Sequence, residues 1–541
     1  MGTGTDAFDY IIVGGGTAGC VLANRLSADP NVTVLLLEAG PRPRSPWIDI
    51  PAGFYKLLTN PRYNWRLTST PEEATGNRTI AIPRGKGLGG STLINGMIYV
   101  RGQPDDYNGW AQMGATGWSF DEVEPVFRRL ENYAGPDPDG VRGHEGPLDL
   151  CEVVERPAIG EAFLQAAEAA GHARTVDYNG PAQDGFGWYQ VNQRNGRRAS
   201  AYAAYLAPVE GRPNLAIRTG VRVAAVTFAD RRATGVRLAA PDGGTIAARR
   251  EVVLAAGAVQ TPQLLELSGI GDPERLRSLG IPVEATSPGV GENYSDHFCT
   301  RLNWRVKRPE TLNELSRGRH LAAELGKYLF RRRGILTFGT GLAHGFIRTR
   351  EGLSGPDVQF FFMHASYANA AERKLEHEPG MTLGVTHLRP ESRGSIHAIS
   401  PRIEDQPAIR PNFLATDEDR RAIVAGMIAG RRIVETAPMD AWRAYEMSPG
   451  PDCRSDDDWL AFARGNGQTI YHVAGTCRMG GEGDPAAVVD PALRVRGVDG
   501  LRVVDASVMP TQVSGNSQAA VFMIAEKGAD LIRAAGGAGR S

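Results

Sequence analysis

The stretch Thr469-Ile-Tyr-His-Val-Ala-Gly-Thr-Cys-Arg-Met-Gly480 places His472 five residues before Cys477, among small and apolar neighbours. Three kinds of chemistry use such residues: metal ligation, attack by a thiolate with its base, and proton abstraction for a group bound elsewhere. A fourth reading needs no chemistry, since a lone histidine among apolar residues is commonly a hydrogen-bonded part of a core. Metal ligation is the weakest, because no CxxC pair or His/Cys cluster supports it anywhere in the chain. The elements around the stretch must decide among the others.

Glycine is the second chemical signal, with 66 residues gathered in a few places. Asp9-Tyr-Ile-Ile-Val13 is a short β-branched run of the kind that forms a buried parallel strand. Gly14-Gly-Gly16-Thr-Ala-Gly19 follows, then Cys20 to Leu26 with apolar residues at helical spacing, then the strand-like Asn31 to Leu37 ending in Glu38. Strand, glycine turn, helix, strand and acid form a dinucleotide-binding unit. Gly14 permits the tight turn, and Gly16 lets backbone approach a pyrophosphate at the helix N-terminus. Gly19 allows close helix packing, and Glu38 is placed to accept hydrogen bonds from ribose hydroxyls. This unit does not choose between NAD and FAD.

Bulk composition limits the alternatives. A chain of 541 residues is too long for one ordinary core. Lys+Arg (60) and Asp+Glu (61) nearly cancel and form no long basic block, which excludes a nucleic-acid partner of the usual electrostatic kind. The N-terminus shows no secretory pattern, and no window has the length and apolarity of a membrane span. Five scattered cysteines suit free thiols in a reducing compartment, so a cytoplasmic location is expected. The run Arg331-Arg-Arg333 beside Tyr328-Leu-Phe330 has the character of a peripheral membrane contact. Three charges make a weak patch, and a solvated helix end is the expectation there.

A second glycine cluster, Pro83-Arg-Gly-Lys-Gly-Leu-Gly-Gly-Ser-Thr-Leu-Ile-Asn-Gly-Met-Ile-Tyr-Val-Arg101, offers backbone N–H groups to anionic or carbonyl oxygens and apolar side chains to an aromatic ring. With it the chain resembles the glucose-methanol-choline (GMC) oxidoreductases, flavoenzymes that oxidise alcohols. This cluster is similar to the first signature of that family. Gly257-Ala-Val-Gln-Thr-Pro-Gln-Leu-Leu-Glu-Leu-Ser-Gly-Ile-Gly271 is similar to the second, and Pro288 to His297 to the segment that follows it. Val504-Asp-Ala-Ser-Val-Met-Pro510 resembles the C-terminal flavin-contact segment.

The resemblance implies an α/β fold: a Rossmann-type FAD-binding domain interleaved with a substrate domain built on an antiparallel sheet flanked by helices. Residues 1–155, 200–304 and 465–541 would form the first, and 156–199 and 305–464 the second. Local patterns agree with two sheets. Asn214 to Arg218, Val221 to Phe228 and Gly235 to Leu238 read as antiparallel strands, and Glu251 to Ala256 as a buried one. Asp357 to Met363, Thr382 to Thr386 and Gly394 to Ile399 read as strands of the substrate sheet, while Thr511 to Ala534 holds a strong helical pattern.

The resemblance also assigns roles. His472 takes the place of the family's catalytic histidine, and Asn516, 44 residues on, that of its partner. Asn516 cannot be a base, so it would orient the substrate oxygen while His472 alone takes the hydroxyl proton. Cys477 then reads as a buried small residue. FAD contacts carry over to Gly14, Gly16, Thr17, Ala18, Gly19, Glu38, Ala39 and Trp65, and to Leu88, Gly89, Gly90, Ser91, Asn95, Gly96, Met97 and Ile98. Further contacts fall on Val223, Ala256, Asp505, Ala506, Ser517 and Gln518. Some members link FAD covalently through a first-signature histidine; here that position is Ile94, so a non-covalent FAD is expected.

Tyr471, Ile470 and His344 are candidates for the substrate pocket wall, and Leu342 stands where choline enzymes of the family are expected to carry an acid. The expected substrate is therefore an uncharged small-molecule alcohol, aliphatic, aromatic or sugar-like. Its electrons would pass to a quinone, another carrier or oxygen. An oxygen-using oxidase, a choline dehydrogenase and, more remotely, a flavin photodecarboxylase are the alternatives.

Overall fold

The apolar runs at the N-terminus form the centre of a seven-stranded sheet. The structure, a computed structural model, describes residues 7–239, 243–369 and 374–538. In this sheet Ala7–Val13 lies between Val34–Glu38 and Thr245–Leu254, parallel to both. Buried on both faces, these strands need no alternation of apolar and polar residues, and none is seen in Tyr-Ile-Ile-Val or Val-Leu-Leu-Leu. Val223–Ala229 and Arg232–Leu238 form a hairpin that extends the sheet antiparallel to Thr245–Leu254. Leu501–Val503 adds to Thr245–Leu254 in parallel, bringing the C-terminal segment to the nucleotide unit.

Leu215–Thr219 departs from expectation. It pairs in parallel with Val34–Glu38, on the edge opposite the hairpin. Period-two alternation reports a half-exposed strand and is silent on its direction.

The second seven-stranded sheet is wholly antiparallel, in the order Arg443–Ser448, Phe298–Val306, Gly380–His387, Val358–Met363, Ala343–Ile347 and Gly185–Trp188. The short strand Gln468–Thr469 pairs with the start of Phe298–Val306. Helix Asp417–Val434 covers one face, and Gly430 sets how close it lies: a Cβ there would fall 2.9 Å from Leu383 Cδ2. Crowding of this kind costs about 1–3 kcal/mol, so Gly430→Ala would lift the helix from the sheet. Gly394–Ile399 is not part of this sheet. Its strand, Ser395–His397, pairs only with Ala408–Arg410 in a separate ribbon.

The C-terminal helix runs from Gln518 to Ala538 and packs along Thr17–Leu26, where Arg25 and the buried Glu526 form a 2.7 Å ion pair. The helical pattern expected within Thr511 to Ala534 lies inside this helix, while the residues from Thr511 to Ser517 stay irregular. That irregular segment carries Asn516.

Candidate functional site

One deep cavity lies between the two sheets and runs from the Gly14 turn to His472. At its nucleotide end, strand Ala7–Val13 delivers Gly14 in a left-handed conformation (φ 106°), with the backbone of Ala255 so close that a Cβ would meet its oxygen at 2.5 Å. Helix Thr17–Leu26 starts beyond Gly16 with no side-chain cap, so its first N–H groups face the cavity as an anion site. A Cβ on Gly19 would fall 1.9 Å from the Gly14 oxygen, so this residue packs the helix against the turn and does not line the cavity.

Glu38 closes this end. Its Oε1 accepts from Gly40 N at 2.7 Å and Gly87 N at 3.0 Å, and its Oε2 from Gly15 N at 2.7 Å. The carboxylate therefore ties both glycine loops together and also faces the cavity. Burial raises its pKa, against which the three backbone donors and Lys86 act.

Most of the expected FAD contacts line this cavity, among them Trp65, Gly90, Ser91, Asn95, Val223 and Ala256. Leu88 and Gly89 do not. Leu88 is fully buried behind Gly15, and Gly89 donates its N–H to the Gly15 oxygen at 2.7 Å. Ile94 is on the wall, next to Asn95, whose Oδ1 accepts from Arg198 at 2.6 Å. Arg84, missed by sequence reasoning, stands at the wall with its buried Nε and one Nη unpartnered among the described residues, as is the Nε2 of Gln518. Orphaned donors at a cavity wall suit a ligand rich in anionic and carbonyl oxygens. A dinucleotide has that chemistry.

The other end is organised by two histidines. His297 Nε2 stands 2.9 Å from the Leu388 carbonyl oxygen, which can only accept, so that nitrogen carries the proton. Burial holds His297 down at about 4, hence neutral, and its Nδ1 is an acceptor. His472 Nδ1 lies 2.9 Å from it and must donate. The Nε2 of His472 is thereby left with a lone pair towards the cavity, where Asn516 Nδ2 donates to it at 3.2 Å. Desolvation, then the nearby His297 and Arg84, push the His472 pKa well below the ordinary histidine range. Packed on every side but the cavity, this imidazole is neutral at physiological pH.

Two further side chains and one strand pairing hold this end of the cavity. Asp296 Oδ1 accepts from the backbone N–H of His472 at 2.8 Å and of His297 at 2.9 Å, clipping the two segments together. The pairing of Phe298 with Thr469 sets their register. Gln359 Nε2 donates to Asn516 Oδ1 at 3.3 Å and so fixes which end of that amide faces His472. Asp296 and His297 both lie in the segment noted for its resemblance, but neither carried a readable role there, and Gln359 carried no signal of its own, because the contacts that matter join segments far apart in sequence.

Ile470 and Tyr471 line this end together with Phe361, Cys299 and Arg301. His344 does not: it is fully buried in the second sheet against Tyr178, with both ring nitrogens unpartnered among the described residues. Leu342 is also fully buried in the core, away from the wall. Cys477 is a buried free thiol whose pKa burial raises far above the usual value, which removes it as a nucleophile.

Residues 8–299 and 390–525 match the N- and C-terminal family models described as GMC oxidoreductase. An alcohol dehydrogenase [acceptor] of Pseudomonas putida is 40% identical over 97% of this chain and 95% of its own length. The mitochondrial choline dehydrogenase of Mus musculus is 38% identical over 98% of this chain and 90% of its own. Among solved structures, pyridoxine 4-oxidase from Mesorbium loti superposes with a TM-score of 0.87 at 31% identity, covering 97% of this chain and 99% of that one.

Proposed function

We propose that this chain, which belongs to the GMC oxidoreductase family, oxidises an uncharged alcohol to an aldehyde or ketone with FAD as its resident cofactor. The orphaned Arg84 and Gln518 donors, the open helix N-terminus and Glu38 are the residues that would hold FAD. When bound, the flavin supplies the acceptor for the hydride on the alcohol carbon. Every other requirement falls to this chain.

His472 Nε2 takes the hydroxyl proton, since its lone pair faces the cavity. With an alcohol bound, the Asn516 Nδ2 donor would pass from His472 Nε2 to the hydroxyl oxygen and hold it in place, freeing the lone pair for the proton. His297 keeps the proton of His472 on Nδ1, away from the reacting side. The wall of Phe361, Ile470 and Tyr471 excludes water from the charge that develops. Two interleaved domains, with the bounds expected from sequence, are the natural division, although Phe298–Val306 and Gln468–Thr469 of the second sheet straddle or overstep those bounds.

The observation that carries this reading is the relay from Leu388 through His297 to His472, which leaves a base aimed into the cavity. The choline alternative lacks support at the wall: its carboxylates, Glu38 and Asp505, are tied to backbone N–H groups, and the charge near Phe361 is Arg301. The His472–Asn516 pair likewise favours alcohol chemistry over photodecarboxylation. The test is anaerobic reduction of the bound flavin by an alcohol panel. His472→Ala should slow reduction ~10²–10⁴-fold with FAD still bound. A change of less than about threefold would show that His472 is not the base.

A further inference from the structure

We propose that helix Gly318–Arg331 docks the protein on an anionic membrane surface. Most surface helices turn an apolar stripe towards the core and a polar face outward. In this helix only Leu321 packs partly against the core, and most of its large apolar side chains face outward. Its buried side chains are Glu324 and Tyr328. Leu325, Leu329 and Phe330 are 42%, 67% and 88% exposed. With exposed Ala322 they recur at spacings of three, four, seven and eight residues, which is one stripe on one face.

The polar inner face has specific partners. Tyr328 OH donates to the Gly196 carbonyl at 3.0 Å, and Glu324 Oε2 accepts from Ile335 N at 2.9 Å. Rolling the stripe inward would break both bonds, so the outward leucines and phenylalanine are fixed by the fold.

Charge identifies the occupant. Arg319, Lys327, Arg331, Arg332 and Arg333 border the stripe, while the only acid from 318 to 333 is Glu324, buried and paired with Lys327. Arg332 lies over the Tyr328 ring at 4.9 Å, and Arg333 reaches Glu155 only at 3.9 Å. An apolar strip edged by cations of one sign matches a bilayer interface: apolar tips sink below the headgroups while Lys and Arg meet anionic phosphates. A protein partner would need paired carboxylates at fixed positions; a lipid surface needs only its mean charge. Sequence reading favoured a solvated helix end because Arg331–Arg333 alone is a small patch. The structure adds Leu325 and Ala322, one and two turns before Leu329, on the same face. Among the described residues no helix is long and apolar enough to cross a membrane, so the contact is peripheral.

The test is flotation of the full chain carrying its cofactor with vesicles of equimolar phosphatidylglycerol and phosphatidylcholine, against phosphatidylcholine alone. Binding to the anionic vesicles is expected, weakening as salt rises. Leu329→Ser with Phe330→Ser should reduce it at least about tenfold, with alcohol oxidation towards a soluble dye unchanged. Arg331→Gln with Arg333→Gln should reduce it as well and flatten its salt dependence. Failure to bind, or binding indifferent to phosphatidylglycerol or to the Leu329/Phe330 pair, would overturn the proposal. So would a lipid-free dimer that the same pair abolishes, since the stripe would then belong to a second copy.

Discussion

The Nδ1 atoms of His297 and His472 stand 2.9 Å apart, with ring planes at 87°. Two such nitrogens make a hydrogen bond only if one carries the proton, and the Leu388 carbonyl decides which. His297→Ala should therefore slow flavin reduction about tenfold or more, by freeing His472 to hold its proton on the reacting side. His297→Asn, which can present an acceptor to His472 and a donor to Leu388, should restore much of the loss. A merely structural role would change protein yield or melting and leave the pH profile of reduction in place, so that profile is the deciding measurement.

Acid stability follows from buried imidazoles. His297 is held at about 4, and His344 and His364 at about 3, all by desolvation. Each binds a proton readily once unfolded, below about pH 6.5. The stability they leave intact is fully present above that value and is lost as pH falls through the window towards about 4 and 3. Thermal melts across this range should show the decline. His344→Leu removes one proton-uptake site and two unpartnered nitrogens, so its melting temperature should fall less steeply with acid. An unchanged slope would mean that His344 is not buried neutral.

The flavin should be dissociable. Ile94, at the wall where a linking histidine would stand, has no nucleophilic atom. The Thr92 hydroxyl is engaged with the Gly89 carbonyl at 2.6 Å. Acid precipitation should leave the yellow colour in the supernatant. Colour in the pellet, or an intact mass raised by one FAD, would refute a non-covalent site.

Choline should gain nothing from its charge. Arg301 faces this end of the cavity and makes no ion pair among the described residues. The kcat/KM for choline is expected to be no higher than for its neutral tert-butyl isostere. Arg301→Glu should move that ratio towards choline by about tenfold or more, since one reversed charge in a partly desolvated pocket is worth over about 1.4 kcal/mol. A strong choline preference in the unsubstituted enzyme would sink this view of the wall.

What the sequence disclosed and withheld follows physical range. Gly14, Gly16 and Glu38 were legible because strand, turn, helix and acid are local and periodic. His472 and Asn516 were legible only through resemblance, as their 44-residue spacing has no helical or strand meaning. Asp296 and Arg84 stood inside family-like segments and Gln359 inside a strand-like run, yet none showed its role: that exists only once segments well over a hundred residues apart share a wall. The parallel direction of Leu215–Thr219 was missed for the same reason, because direction is set by the neighbour that a strand finds.

The strand Phe298–Val306 is paired on one flank with Gly380–His387 and at its start with Gln468–Thr469, directly before His472. Val358–Met363, which carries Gln359, continues the same sheet from Gly380–His387. His472, the His297 that sets its tautomer and the Gln359 that supports Asn516 are thus bolted to a single hydrogen-bonded plate. The plate is stitched to the nucleotide half by chain crossings before 185, after 188, before 298 and after 469. Four such crossings restrain a clamshell opening of the two halves. Entry and exit of an alcohol are then expected to use small local movements at the cavity rim, and turnover should be insensitive to solvent viscosity beyond what diffusion of a small molecule demands.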